Sequence, residues 1–447
     1  MESRAGVQFA ARGGVTDARV VAAEVCGDIR NGEMLDSSFE RRAGALDSRD
    51  RRWTQELVYG MLRRRARLDA ILSSRVRGGL ARLDPDLVDL LRLGVDQLLY
   101  MGSVPAYAAI AQTVELAKRR HGIGASKLAN AVLRRVDRER EDLAVQIDGD
   151  EVDQLSLEYS HPRWIVARWL ERFGRSETVT LLEANNTEPP LIARPYGIVR
   201  EQLEATLEAA GVTVVDAPLV SDSIELQGAP ALAELGAYKQ GLFFIQDPAS
   251  TLVSRYAAIS PGVTVADLCA APGGKSLEMT RVAGAVVASD RSQGRLQRVI
   301  ANVKRLDARD LLAFVGDARH PAIRPVDVVL IDVPCTGTGT FRRHPDARWR
   351  LRPSDLAVMT NLQRAICRGA ARVVAPGGLL IYSTCSLEPE ENDEQIATFL
   401  KEHPAFVLEP PPAGEVSTDV LSDGFLRVLP HRHGTDGAFA ARLRRAR

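Results

Sequence analysis

The first third of the chain repeats apolar residues with the period of an amphipathic helix. In the segment DLVDLLRLGVDQLLYMG, Leu87, Leu91 and Val95 recur at four-residue spacing and therefore share one helical face. The segments YAAIAQTVELAKRR and KLANAVLRRV repeat this spacing, and no strand-like alternation interrupts residues 15 to 140. The pattern predicts an all-α domain, a compact helical bundle, over residues 1–145.

Between residues 146 and 240 the pattern becomes mixed. An acidic stretch leads into the amphipathic segment RWIVARWLERFG, and the segments PPLIARPYG, IVREQLEATLEAAG, VTVVDAPL and SIELQG then have the character of strand, helix, strand and strand. This order predicts a linker followed by a small α+β domain.

From residue 241 to residue 447, short apolar runs alternate with amphipathic segments. The runs VTVADLCA, AVVASD, LLAFVGDA, VDVVLIDVPC and GLLIYSTCS have the length of strands, and helical patterns separate most of them. Apolar strands separated by helices predict a Rossmann-like α/β domain, in which helices cover both faces of a parallel sheet. The last runs, GFLRVLP and GAFAARLRR, predict antiparallel strands that close one edge.

Length and composition agree with a multidomain protein. The chain has 447 residues, a length that corresponds to two to four domains, and 45% of its residues are apolar. It contains no apolar run long enough to span a membrane, and the segment MESRAGVQFAARGGVTDARV lacks the apolar core of a secretory signal. Five cysteines without the spacing of a disulfide framework favour a reduced, cytoplasmic protein.

Charge is distributed unevenly along the chain. Residues 1–140 hold 25 Lys and Arg against 18 Asp and Glu, a net charge of +7, whereas the remainder holds 33 against 40, a net charge of −7. Basic clusters such as RRRAR and KRRHG lie in this first part. The distribution predicts a first domain that meets the phosphates of a nucleic acid. The alternative is an imbalance on solvated helix ends, where the helix dipole favours cations.

The segment ADLCAAPGGKS marks a candidate ligand-binding loop between the first strand of the α/β domain and its helix. The pair Gly273 and Gly274 lets the backbone approach a ligand closely. The segment lacks the first glycine of a phosphate-binding G-x-x-x-x-G-K-[ST] loop, and it is not a dinucleotide-binding G-x-G-x-x-G motif either.

Acids end the strands beside this loop. Asp290 follows Gly273 by 17 residues, the place where a doubly wound fold holds ribose hydroxyls, and Asp317 and Asp332 end the next two strands. Three acids in register fit a nucleoside cofactor of net positive charge, and S-adenosylmethionine fits best. The alternative is that each acid caps a helix or a turn.

Two cysteines occur at strand ends, Cys335 in IDVPCTGTGT and Cys385 in IYSTCSLEPEEN. With S-adenosylmethionine, such thiols predict methylation of an unreactive ring carbon, since thiolate attack on C6 of cytosine activates C5. Asp332 could then hydrogen-bond N3 or N4 of the base. The Pro-Cys pair at Cys335 resembles the Pro-Cys nucleophile of DNA cytosine methyltransferases, and this similarity would make Cys335 the nucleophile. The alternative for any single cysteine is packing as a small apolar residue, the role expected for Cys26 and Cys367.

At this point the chain resembles a known family. The segments DLCAAPGGKS, DVPCTGTGTFRRHPD and YSTCSLEPEEN are similar to signature blocks of the RNA cytosine-C5 methyltransferases of the NOL1/NOP2/Sun group, with Val333 where that family usually has Ala. The segments YAAIAQTVELAKRR and KLANAVLRRV resemble helices of the RNA-binding NusB fold. The combination resembles the layout of bacterial 16S ribosomal RNA methyltransferases, which implies a NusB-like domain over residues 1–145 and a methyltransferase domain over residues 241–447.

The resemblance also implies roles for individual residues. The nucleophile would be Cys385, Cys335 would assist product release and Asp332 would be the third catalytic residue, so the resemblance overrules the preference for Cys335. The implied contacts of S-adenosylmethionine are Cys269, Ala270, Ala271, Pro272, Gly273, Gly274, Lys275, Asp290, Asp317 and Asp332. The expected partner is RNA, most specifically 16S ribosomal RNA, and the expected protein is a monomer without a metal ion.

Other functions remain as alternatives. A DNA methyltransferase would not account for the second cysteine or the NusB-like segments, and an amino-group methyltransferase would need an Asn/Asp-Pro-Pro-aromatic block instead of DVPC. A 5-methylcytosine methyltransferase acting on another RNA, such as tRNA, would show the same motifs. A non-catalytic NusB-like RNA-binding scaffold would not need intact Cys335, Cys385 and Asp332.

Overall fold

A computed structural model of the protein describes residues 15–143 and 149–447. The predicted boundary between residues 145 and 146 lies outside the described residues, and so does most of the segment analysed for a secretory signal. Within the described part, no helix combines the length and the apolar character that crossing a membrane requires.

The described residues fall into two compact units. The first contains residues up to Asn186 together with His344–Arg350, and the second contains Thr187–Arg343 together with Leu351–Arg447. The predicted division into three domains stays a prediction.

The helices and strands are numbered in chain order. The α-helices are α1 (Asp17–Arg30), α2 (Leu35–Ala43), α3 (Ser48–Arg63), α4 (Arg65–Ser73), α5 (Pro85–Tyr100), α6 (Ala106–Arg138), α7 (Glu151–Glu158), α8 (Arg163–Asn186), α9 (Arg200–Ala209), α10 (Gly236–Lys239), α11 (Pro248–Tyr256), α12 (Gly274–Met279), α13 (Gln293–Leu306), α14 (Ala347–Arg350), α15 (Pro353–Arg372), α16 (Asp393–Glu402) and α17 (Pro430–His433). The strands are β1 (Leu191–Pro195), β2 (Thr213–Asp216), β3 (Ile224–Gln227), β4 (Phe243–Ile245), β5 (Thr264–Asp267), β6 (Ala285–Asp290), β7 (Leu311–Val315), β8 (Val326–Asp332), β9 (Val374–Thr384), β10 (Phe406–Leu408), β11 (Leu421–Ser422), β12 (Phe425–Val428) and β13 (Ala438–Arg445).

The described part of the first unit is helical, as the apolar pattern predicted. Asp84 caps the amino terminus of α5 by accepting a hydrogen bond from the backbone N–H of Asp86. The apolar face of α5 is buried, and Leu91 on that face is fully enclosed. Helices α5 and α6 approach so closely that a Cβ atom on Gly94 would lie 3.0 Å from the side chain of Leu133. The predicted helical bundle is confirmed.

A short segment from the second half of the chain, His344–Arg350, completes the first unit. The buried guanidinium of Arg348 donates a hydrogen bond of 2.7 Å to Oδ1 of Asn186. The indole N–H of Trp349 donates a hydrogen bond of 2.8 Å to the carbonyl of Leu62. These contacts make the segment part of the helical core.

The second unit contains two sheets, of which the smaller has the antiparallel order β2-β3-β1-β4. Helix α9 packs with it through Leu203 and Leu207, both buried. The predicted strand, helix, strand and strand are present as β1, α9, β2 and β3, so the small α+β domain is confirmed. The structure adds β4 as a fourth strand, although β4 lies beyond residue 240, where the pattern ended this domain.

The larger sheet has the order β11-β12-β13-β9-β8-β5-β6-β7, with β10 paired to β13. Strands β5 to β9 are parallel to one another and correspond to the five predicted runs. Their side chains alternate between two cores, since Val265 faces α11 to α13 and Ala266 faces α15 and α16. Strand β13 joins β9 in the antiparallel sense and β12 follows it, as predicted for the chain end.

The order of the strands determines where a ligand can bind. The chain runs outward from β5 through β6 to β7, and then returns to β8 and β9 on the other side of β5. A crevice forms at such a reversal, outside the carboxyl ends of the strands. The glycine loop (Cys269–Lys275) follows β5, and Cys335 and Cys385 follow β8 and β9, so the candidate residues lie at this edge.

Candidate active site

The glycine loop has the backbone geometry that a close ligand requires. Gly273 has φ +106°, a conformation that favours glycine, and a Cβ atom there would lie 3.2 Å from the side chain of Val299. A Cβ atom on Gly274 would lie 2.9 Å from Nε2 of Gln246. The loop therefore packs tightly against Val299 and Gln246 at these two positions, where only glycine fits without displacing a neighbour.

A buried acid, Asp267, forms hydrogen bonds with the glycine loop and with the helix that follows it. Its Oδ2 accepts a hydrogen bond of 2.6 Å from the hydroxyl of Ser276, and its Oδ1 accepts one of 3.3 Å from the backbone N–H of Cys269. Burial raises the pKa of Asp267 to about 6, and burial also raises the pKa of the Cys269 thiol well above its usual range. The motif analysis did not select Asp267, although it is the last residue of β5.

Asp290, the predicted ribose contact, ends β6, and Asp317 lies two residues beyond the end of β7. Oδ1 of Asp290 accepts hydrogen bonds from the backbone N–H of Ser292 at 2.8 Å and from Nη2 of Arg295 at 2.9 Å. Asp317 pairs with Arg319 through both carboxylate oxygens, and this pairing lowers the pKa of Asp317 to about 2. Both carboxylates are therefore oriented by neighbouring groups at the edge where the glycine loop lies.

Asp332 lies at the centre of the candidate site. Its Oδ2 accepts a hydrogen bond of 2.7 Å from the ammonium group of Lys275, and its Oδ1 accepts one of 2.8 Å from the hydroxyl of Ser383. Burial lowers the pKa of Lys275, but the charges of Asp332 and of Cys385 outweigh burial and raise it overall. Lys275, predicted as a cofactor contact, is thus also the ionic partner of the predicted catalytic acid.

The two candidate cysteines face each other. The sulfur atoms of Cys335 and Cys385 are 3.2 Å apart, and both residues are half-buried and free of disulfide bonds. The hydrogen bond with Cys385 and burial together raise the pKa of the Cys335 thiol well above its usual range. The structure therefore brings together both cysteines that the sequence singled out, although they are 50 positions apart in the chain.

A buried glutamate, Glu391, fixes the backbone that follows Cys335. The backbone N–H of Thr336 donates a hydrogen bond of 2.9 Å to Oε1 of Glu391, and the hydroxyl of Thr336 bonds to Oε2. Nε2 of Gln363 donates to the same carboxylate at 2.9 Å and to the carbonyl of Pro334 at 2.9 Å. Burial raises the pKa of Glu391. The sequence offered one signal for it, an acid within the SLEPEEN segment after Cys385.

The described residues offer no metal centre beside these groups. Within residues 15–143 and 149–447, no three His, Cys, Asp or Glu side chains form a group that could hold a metal ion. The site instead contains three kinds of group, namely the two thiols, the Lys275–Asp332 pair and the glycine loop.

Three models of known families together match most of the chain. Residues 257–444 match the model of the 16S rRNA methyltransferases RsmB/F, and residues 16–138 match the NusB family. Residues 161–233 match a ferredoxin-like domain of RsmF/B-like methyltransferases.

Individual relatives match at full length. The probable ribosomal RNA small subunit methyltransferase B of Synechocystis is 34% identical, and the match covers 96% of this chain and 99% of the relative. Ribosomal RNA small subunit methyltransferase B of Vibrio cholerae is 33% identical over 92% of this chain and 93% of its own. The crystal structure of the protein PH0851 superposes with a TM-score of 0.79 at 28% identity, covering 96% of this chain and 98% of that one.

Proposed function

The chain belongs to the family of 16S rRNA methyltransferases RsmB/F, and from this premise we propose that it transfers a methyl group from S-adenosylmethionine to C5 of a cytosine in 16S ribosomal RNA through a covalent bond between Cys385 and C6. The observation that carries the proposal is the pair of thiols, 3.2 Å apart, at the same edge of the sheet as the Lys275–Asp332 pair. One thiol can attack the base while the other acts on the product.

The residues proposed to hold S-adenosylmethionine are the glycine loop (Cys269–Lys275), Asp290, Asp317 and Asp332. The loop follows β5 at the carboxyl edge of the sheet, and the carboxylates lie at the ends of β6 and β8 and in the turn after β7. When bound, S-adenosylmethionine supplies an electrophilic methyl group.

The protein's own groups activate the base. Attack of the Cys385 thiolate on C6 makes C5 nucleophilic, so one difficult substitution becomes two easier steps. Lys275 keeps Asp332 in position, with Oδ1 also held by Ser383. Asp332 can then hydrogen-bond the N3/N4 edge of the cytosine and orient the ring over the Cys385 sulfur.

The 3.2 Å contact between the two sulfur atoms supports a joint role of the two thiols. The hydrogen bond with Cys385 and burial raise the pKa of Cys335, which favours its protonated thiol form before attack. The largest cause of that raised pKa is its hydrogen bond with Cys385. Once Cys385 is bonded to C6, this hydrogen bond is lost, and the Cys335 thiol can release its own proton to solvent and, as a thiolate, take the proton from C5. Loss of that proton lets the Cys385 thiolate leave.

Covalent trapping tests the proposal. Cys385→Ala should abolish turnover and leave no covalent RNA adduct. Cys335→Ala should still attack and methylate the base, but it should release the product slowly. It should therefore accumulate a protein–RNA complex that survives denaturing electrophoresis, and the double variant Cys335→Ala/Cys385→Ala should not. An adduct confined to the Cys385→Ala variant would make Cys335 the nucleophile.

The RNA target is tested separately. We propose that residues 1–140, which carry a net charge of +7 and include the match to the NusB family, bind the RNA in the cytoplasm, and that the protein acts as a monomer. Mapping of 5-methylcytosine in 16S ribosomal RNA and in tRNA from a deletion strain should show one missing site in 16S RNA. A missing site in tRNA would establish the other RNA target, and full methylation of both RNAs would favour a non-catalytic scaffold.

A further inference from the structure

The loop that begins at Cys335 ends in a buried ion cluster. Arg342 and Arg343 donate to two different oxygens of Asp436, through Nε at 2.9 Å and Nε at 2.7 Å respectively. Both also reach Oδ2 of Asp247, through Nη2 at 3.2 Å and 2.9 Å. These four residues are here called the Arg–Asp cluster. The side chains of Asp247 and Asp436 are 7% and 9% exposed and that of Arg342 is 6% exposed, so three of the four charges are largely removed from water.

The two carboxylates belong to elements far apart in the chain. Asp247 caps α11 by accepting a hydrogen bond of 2.9 Å from the backbone N–H of Ala249. The backbone N–H of Asp436, just before β13 begins, donates a hydrogen bond of 3.1 Å to the same oxygen, Oδ1 of Asp247. The Arg–Asp cluster therefore ties the end of the Cys335 loop to a helix and to the turn before β13.

Backbone contacts connect the same loop to the strand end that carries the second thiol. The N–H of Gly339 donates a hydrogen bond of 2.9 Å to the carbonyl of Cys385, and the N–H of Gly437 donates one of 2.7 Å to the carbonyl of Gly339. Gly437 directly follows Asp436. The segment carrying Cys335, the segment carrying Cys385 and the turn before β13 are thus joined in one layer.

Burial of these charges is poorly explained by stability alone, because the loss of hydration offsets most of the attraction between buried ions. Such a cluster does, however, fix the orientation of the side chains and of the segments that carry them, because each guanidinium must donate hydrogen bonds to two carboxylates. We propose that the Arg–Asp cluster is a positioning device that holds the thiol of Cys335 against that of Cys385 for the release step. This inference rests on the proposed function and adds four positioning residues to it.

Arg343→Lys tests the proposal with the smallest disturbance. Arg343 is the more exposed of the two arginines, with a side chain 29% exposed, and lysine retains the positive charge. A single ammonium group cannot reproduce the planar fork that spans Asp436 and Asp247. The matched control is Arg309→Lys, the same exchange in the exposed Arg309–Asp307 pair, whose side chains are 82% and 71% exposed.

The first measurement, chemical cross-linking of the two thiols, does not require RNA. A short bifunctional alkylating reagent should cross-link Cys335 to Cys385, and peptide mapping follows its rate. We expect Arg343→Lys to slow this cross-link and to lengthen the lifetime of the covalent RNA adduct, each on the order of tenfold. Cofactor affinity should stay unchanged, and Arg309→Lys should match the wild type in every readout.

Several outcomes would overturn the inference. An unchanged cross-linking rate, or a slower cross-link with normal adduct lifetime, would show that the Arg–Asp cluster does not position the thiols for release. If Arg343→Lys does not fold, Asp436→Asn takes its place, and loss of folding in both would reduce the cluster to a structural role. If Cys335→Ala forms no adduct either, the proposed function fails, while the cross-linking rate still decides the positioning.

Discussion

Asp267 ends β5 with its carboxylate enclosed, 1% exposed, and hydrogen-bonded to Ser276. Burial raises its pKa to about 6, whereas an aspartate in an unfolded chain titrates near ~3.9. The folded state therefore binds this proton more tightly than the unfolded state does. Its contribution to the free energy of unfolding is largest below about pH 4 and declines as the pH rises to the folded pKa.

Asp267→Asn should remove this dependence. The free energy of unfolding of the variant minus that of the wild type should increase by on the order of 3 kcal/mol as the pH is raised from 4 to 7. Urea denaturation in reducing buffer at several pH values measures the difference between the two proteins. Asp307→Asn is the control, because Asp307 is exposed and Arg309 lowers its pKa. The difference in free energy of unfolding between this variant and the wild type should therefore change with pH in the opposite direction. A difference independent of pH would contradict the buried, protonatable state of Asp267.

Asp290 offers a second prediction at this scale, for cofactor affinity. Asp290→Ala should weaken S-adenosylmethionine binding about ten- to a hundredfold, since hydrogen bonds to a charged acceptor contribute about 1.5–3 kcal/mol. Because Asp290 also binds Arg295, whose side chain is 59% exposed, Arg295→Ala separates loss of that neighbour from loss of the carboxylate. Calorimetry that finds equal affinities for Asp290→Ala and Arg295→Ala would refute the ribose assignment.

Single residues were predictable only where the sheet dictates their place. Asp290 and Asp332 could be found because parallel strands end at one edge, and each directly follows an apolar run. The pairing of Lys275 with Asp332 could not, because it spans 57 positions and depends on how far a lysine side chain reaches across the crevice. Glu391 was missed for a similar reason, since its burial results from the packing of a loop without apolar periodicity.

At the level of elements, the apolar pattern identified the five parallel strands and the terminal antiparallel pair. It did not identify β4 as part of the smaller sheet, because three residues are too few to show an alternation and their partner is β1, some 50 residues earlier. Nor could it show how tightly the Cys335 loop, the end of β9 and the turn before β13 pack. At Gly339, a Cβ atom would lie 2.7 Å from the carbonyl oxygen of Cys385 and 2.8 Å from Cα of Gly437.

Gly339→Ala should therefore separate these segments, since both obstructing atoms are backbone atoms that cannot rotate away. We expect turnover to fall on the order of a hundredfold, because a displacement of about 1 Å near the reacting groups has that effect. S-adenosylmethionine affinity should change little. Gly294→Ala in α13 is the control, since its nearest neighbour is 4.0 Å away. Equal turnover in Gly339→Ala and wild type would show that the loop tolerates the separation.

For the whole molecule, the units are not consecutive stretches of sequence. His344–Arg350 follows the Cys335 loop in the chain but belongs to the helical unit. Nothing in its seven residues could have revealed this, because they have no apolar period and lie within a segment whose motif resembles a catalytic signature. Burial makes the difference, since Arg348 is 1% exposed and burial lowers its pKa to about 9. An excised helical domain ending near residue 186 would lack this segment.

Arg348→Met tests whether the segment supports the helical unit. The guanidinium donates to the carbonyl of Asn185 at 2.8 Å and to Oδ1 of Asn186 at 2.7 Å, at the end of α8. Methionine fills similar space but leaves these buried acceptors unsatisfied, which should cost about 2–4 kcal/mol. Hydrogen exchange should therefore accelerate in peptides covering α8, while S-adenosylmethionine affinity stays at the wild-type value. Arg350→Met, in the same segment but with a side chain 34% exposed, should leave exchange in α8 unchanged, and equal exchange in the two variants would show that Arg348 does not hold this helix end.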